Sequence, residues 1–150
     1  MELFEIYKFV HVTTAIIWVG GGVLGVAYTE RAKKAEAGHR LGIARDMEFV
    51  ALRLFNPAAI VTLIFGILMV FESDVFEFSQ AWILMGIGGI AISAALGMGY
   101  LGPQAKRLVG ELETGDAGGE ARLTAVSRVA LFDLVVLLVV VWAMVFKPGF

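Results

Sequence analysis

Apolar residues gather along this chain in four long stretches, and nearly all of the charge lies between them. The stretches run from about Ile6 to Tyr28, Leu54 to Phe71, Ala81 to Gly102 and Val129 to Phe146. Each is near the roughly 20 residues that cross a bilayer core as a helix, the second being the shortest. A segment in lipid must satisfy every backbone polar group internally, which selects helix. The pattern predicts an all-α fold. It is a four-transmembrane-helix bundle forming a single integral membrane domain over residues 1–150, with helices over about 6–37, 42–71, 80–113 and 120–147.

Helix-forming residues continue beyond two of the stretches, over Ala32–Ala37 and Gln104–Leu112. The first and third helices are therefore expected to project past the membrane. Gly38 and the run Gly115-Asp116-Ala117-Gly118-Gly119 are the expected turn points.

Composition supports lipid as the main partner. Of the 150 residues, 59% are hydrophobic and 17% charged, more apolar surface than a soluble domain of this length could bury. The net charge of -2 gives no basic field, so no nucleic-acid partner is expected. The absence of cysteine excludes disulfides, iron–sulfur clusters and thiolate zinc sites. Glu2 and Glu5, rather than a basic segment, precede the first stretch, and no small-x-small cleavage motif follows it. A retained helix is expected, not a signal peptide.

The linkers are polarised. Arg31, Lys33, Lys34, Arg40 and Arg45 lie between the first two stretches, with Arg53 at the entry to the second. Lys106, Arg107, Arg122 and Arg128 lie between the third and fourth, whereas the central connection holds Glu72, Asp74 and Glu77 and no basic residue. The positive-inside rule predicts cytoplasmic basic linkers with both termini and the acidic turn outside, and places Phe76, Phe78, Trp82 and Trp142 near the outer interface.

Short matches suggest two related hairpins. Leu24-Gly25-Val26-Ala27-Tyr28 resembles Leu96-Gly97-Met98-Gly99-Tyr100, and Leu54-Phe55-Asn56 resembles Leu131-Phe132-Asp133. Met69-Val70-Phe71 likewise resembles Met144-Val145-Phe146. The alternative is coincidence within a narrow apolar alphabet.

Gly20, Gly21, Gly22 and Gly25 in the first helix, and Gly86, Gly88, Gly89, Gly97 and Gly99 in the third, form small-residue ladders that permit close approach. They predict that these two helices meet at the bundle centre, and the same glycine-rich faces could serve a homo-oligomer. Gly97-Met98-Gly99-Tyr100-Leu101-Gly102 spells GxGxxG, but no strand precedes it, so a dinucleotide site is dismissed.

The polar residues within the spans include Asn56, Asp133 and His11, with Arg53 at a similar depth to the first two. Asp133 is expected to pair with Arg53 or Arg128, or to act as an interfacial anchor; a proton relay is the alternative. Asn56 is expected to cap a helix that Pro57 begins. His11 has two readings. Met69, Met85 and Met144 fall in its layer when the spans are aligned by depth, and imidazole plus thioether suits haem iron or Cu(I). The other reading is a histidine satisfied by a neighbouring carbonyl or threonine.

Tyr7-Lys8-Phe9-Val10-His11, followed by Trp18-Val19-Gly20-Gly21, resembles the first helix of an uncharacterised family of four-helix bacterial integral membrane proteins. More distantly, the chain resembles HemJ-type protoporphyrinogen oxidases and the membrane domain of CopD-type copper-resistance proteins. Met47-Glu48, Asn56-Pro57-Ala58, Phe65-Gly66 and the closing Val145-Phe146-Lys147-Pro148-Gly149-Phe150 carry the HemJ likeness. The resemblance implies a bacterial cytoplasmic membrane and associates His11 with haem b, copper being the lesser choice. The HemJ motif Leu-Phe-Tyr-Leu-Pro-Arg is replaced here by Gly22-Val23-Leu24-Gly25, and Ile83-Leu84-Met85-Gly86 after Trp82 lacks the expected lysine. The oxidase activity is therefore not implied. Two functional expectations stand: a non-enzymatic structural or accessory membrane protein, and, as the alternative, a haem- or copper-handling redox protein with His11 as ligand.

Overall fold

A computed structural model describes residues 2–116 and 118–150. Among them the chain forms four long helices: α1 (Leu3–Lys33), α2 (Ala37–Glu72), α3 (Ala81–Thr114) and α4 (Gly118–Phe146). All four are long and apolar enough to span a membrane. No more than 22% of the residues in any of their apolar windows are buried, so the bundle turns most of its apolar surface outward. Only lipid can cover such a surface, and the architecture is that of an integral membrane protein.

The helix ends are set locally. Gly38 is not the first turn: α1 ends at Lys33 and α2 starts at Ala37, so Gly38 lies inside a helix. The basic side chain of Arg40 closes this turn by donating to the carbonyls of Ala32 and Ala35. Gly115 does end α3, with a left-handed φ of 71° that favours glycine. Asp116 then accepts the backbone N–H of Gly118 at 2.9 Å and starts α4. Ala117 in the same predicted run lies outside the described residues.

Both ends of each hairpin extend beyond the apolar stretches, as the helix-forming linkers predict, and they build a small head with its own core. Ala32, Ile43, Ala44, Leu108 and Leu123 are buried there, one or two from each helix. Ion pairs lace its rim: Arg40 with Glu120 at 2.9 Å, Arg45 with Glu113 at 2.7 Å, and Arg122 with both oxygens of Glu111. At the opposite end, Lys147 lies over the rings of Phe76, Trp82 and Phe150.

The packing order corrects one expectation. The principal helix seams are α1 with α2, α1 with α4, and α3 with α4. The spanning parts of α1 and α3 do not form a central pair, because α4 lies between them. Four of the glycines act as holes for side chains from neighbouring helices. Gly21 receives the ring of Phe55, Gly22 the side chain of Leu137, Gly86 the methyl of Met144 and Gly89 that of Val140. Within the spanning parts the α2–α3 seam is sparse, although the two helices pack together in the head. The hairpins therefore differ in their surroundings: the seam between α1 and α4 is closed, and its counterpart between α2 and α3 is loose.

Two wide, π-helical turns sit in the loosely packed pair. They span Ala51–Phe55 in α2 and Gly97–Leu101 in α3. A proline follows each closely, at Pro57 and Pro103. Proline supplies no N–H and its ring crowds the carbonyl four residues back, and a widened turn relieves both problems without ending the helix. Asn56 consequently makes no cap, since α2 runs through it.

Candidate functional site

The loose seam opens into a cavity of about 350 Å³ in the half of the bundle nearer the head. All four helices line it. Trp18, Gly25 and Thr29 come from α1, Phe55, Asn56 and Ala59 from α2, Ile90, Ser93 and Gly97 from α3, and Ala130, Asp133 and Leu137 from α4. Its wall is mainly apolar. Ile60 of α2 and Met98 of α3 also line it while remaining 51% and 55% exposed, which marks the side facing the bilayer.

Each proline-widened turn contributes wall residues, Leu52 and Phe55 from α2 and Gly97, Met98 and Leu101 from α3. Segments that match in sequence also meet here. Gly25 and its match Gly97, and Asn56 and its match Asp133, all line the same space. A Cβ at Gly25 or Gly97 would meet nothing within 4 Å. These two glycines leave room in the cavity and do not fill a helix seam.

Asp133 is the central polar group. The buried residues of α4 include Leu123, Val126, Asp133 and Leu137, spaced three, seven and four apart along one inward stripe. Asp133 occupies the position where an apolar residue would complete that stripe. It is 9% exposed, and its Oδ1 has no hydrogen-bond partner. Ser93 on α3 approaches the same carboxyl. The expected ion pair is absent: among the described residues neither Arg53 nor Arg128 bridges to Asp133. Arg53 is exposed and lies 5.7 Å from the ring centroid of Phe49.

His11 belongs to a different place, the seam between α1 and α2. Its Nδ1 lies 2.8 Å from the carbonyl oxygen of Thr62, to which it donates. Thr62 in turn donates to the hydroxyl of Thr14 and to the carbonyl of Ala58. The imidazole rests on Gly66, where a Cβ would come within 2.9 Å of the ring. This is the arrangement expected of a histidine satisfied by a neighbouring carbonyl. Its neighbours in the sequence-derived layer are scattered: Met144 fills the hole at Gly86 between α3 and α4, Met85 is exposed, and Met69 is half-buried on α2. The cavity contains neither His11 nor any of these methionines. As packed, these residues do not converge as ligands for a haem or a copper ion.

Sequence reasoning singled out Asp133 and Asn56 but missed that they share a cavity with Trp18, Thr29 and Ile90. The three-and-four spacing through Leu123, Val126, Ala130, Asp133 and Leu137 was the available signal for Asp133. Comparisons with protein-family models, curated proteins and solved structures each give no match. The functional reading therefore rests on the geometry.

Proposed function

We propose that this protein is a non-enzymatic accessory protein of the membrane that binds a small apolar molecule drawn from the bilayer. The cavity between α2 and α3 carries the reading. Its volume of about 350 Å³ lies in the range of small-molecule sites, roughly 300–1,000 Å³, which are mainly apolar with a few convergent polar groups. Asp133, Asn56 and Ser93 are such groups. The loose seam supplies a route from lipid that needs no opening to water.

The orientation proposed with this function puts the basic head on the cytoplasmic side and the Glu72–Glu77 turn outside, on the strength of the charge asymmetry. The cavity then opens in the inner leaflet.

The test is photolabelling in nanodiscs of neutral lipid with an alkyl diazirine of twelve carbons. Mass spectrometry should find adducts on cavity peptides carrying Ala59 or Ile90, and Ala59→Phe, which fills the space, should remove them. Adducts confined to outward residues such as Phe9 and Ile16 would sink the proposal.

A further inference from the structure

The charge on the cavity wall narrows the class of ligand. Its ionisable lining residues are Asp46, Glu48, Asp133 and Tyr28, and among the described residues no lysine, arginine or histidine lines it. Arg40 borders only a separate small void, where Glu120 and the carbonyls of Ala32 and Ala35 engage it. Asp46 and Glu48 take part in no ion pair among the described residues.

Resting on the binding function proposed above, we infer that the ligand is a lipophilic amine whose ammonium group pairs with the carboxyl of Asp133. Three observations converge on it. A carboxyl held at 9% exposure lines the cavity, and one of its oxygens has no hydrogen-bond partner among the described residues. Burial of an unpartnered polar or charged group is costly, and a donor of opposite charge offsets that cost best. Trp18, Tyr28 and Phe55 contribute aromatic rings to the same wall, and such rings attract a cation but not an anion. Asp46 and Glu48, toward the head, extend the acidic lining along the approach. An alkyl or aryl chain fills the apolar remainder against Ile90 and Leu137. A fatty acid or anionic lipid headgroup would instead bring a like charge to Asp133.

The experiment is competition against the same photolabel, in the same nanodiscs, with dodecylamine, dodecanol and dodecanoate dosed as mole fraction of lipid. Dodecylamine should suppress cavity labelling at about tenfold lower dose than dodecanol, and dodecanoate should be weakest. In Asp133→Asn the amine should lose its advantage over the alcohol. If amine and alcohol compete equally in the wild type, or if Asp133→Asn keeps the amine's advantage, the inference is overturned and the binding function stands. If the cavity is never labelled, the binding function itself fails. The ranking of the three competitors on the wild-type protein decides the matter even if Asp133→Asn does not fold.

Discussion

Gly66 makes room for His11: a Cβ at residue 66 would lie 2.9 Å from Cε1 of the imidazole and 3.0 Å from Nδ1, the atom that bonds the Thr62 carbonyl. The glycine and the histidine form one unit that closes α1 on α2, and the hydroxyls of Thr14 and Thr62 complete it.

Gly66→Ala should therefore push the ring off the Thr62 carbonyl and destabilise the fold by about 1–3 kcal/mol, the usual cost of overpacking. His11→Ala alone should also destabilise it, by at least the roughly 0.6 kcal/mol typical of a hydrogen bond between membrane helices. Because the two side chains compete for one space, the double variant should be less destabilised than the sum of the singles. Reversible unfolding in mixed micelles measures all three, and strict additivity would show that the two residues do not share the site.

A packed His11 has a spectroscopic consequence. Protein purified in detergent should show no Soret band and no stoichiometric copper. A Soret band that disappears in His11→Ala would instead establish haem ligation and overturn the structural role given to this residue.

The head responds to pH through Glu111. Arg122 donates to both of its oxygens, at 2.7 and 2.5 Å, and this hydrogen bonding holds the carboxyl below its ordinary range. A carboxylate depressed in the folded state adds stability above its unfolded value and loses it as pH falls through the folded value. Wild type should thus be more heat-stable than Glu111→Gln at neutral pH. The gap should close as the solution is taken below the ordinary carboxylate range. A gap that persists in acid would mean the Arg122 pairing is not its source.

Orientation can be read by labelling, since the native chain has no cysteine. A single cysteine at Gly38, exposed in the head, should react with an impermeant maleimide only after the membrane is opened. One at Ser79, exposed in the acidic turn, should react in intact cells. The reverse pattern would invert the topology.

The Leu123 side chain, 2% exposed, ties α4 to the head core. Leu123→Ala should cost about 2–5 kcal/mol, as for other buried leucines, and circular dichroism should show the spans still helical. A cost below about 1 kcal/mol would mean that the head adds little to the bundle.

Much of the architecture was legible in one dimension because lipid imposes it. Long apolar runs can only be helices, and the strings of helix formers after Tyr28 and Gly102 carry α1 and α3 on into the head. Gly115 ends α3 as its lack of a side chain allows. Gly38 misled because an isolated glycine is tolerated in a helix, and the turn was set instead by the carbonyls that Arg40 caps.

Which helices touch, however, depends on azimuth, and depth along the membrane does not fix it. Ladders in α1 and α3 suggested a central pair, yet their holes are filled by Phe55, Leu137, Val140 and Met144 from the other two helices. The same uncertainty grouped His11 with three methionines at matching depth that the packing sends elsewhere. The sequence by itself determined four helices, their lengths, their charge asymmetry and the presence of a rare buried acid. Only the tertiary structure decided that α4 would stand between α1 and α3, that the α2–α3 seam would stay loose beside two proline-widened turns, and that Asp133 would face the space left there. Hydrophobicity and helix length are properties of a segment alone, whereas a cavity exists only where several segments fail to fill the same volume.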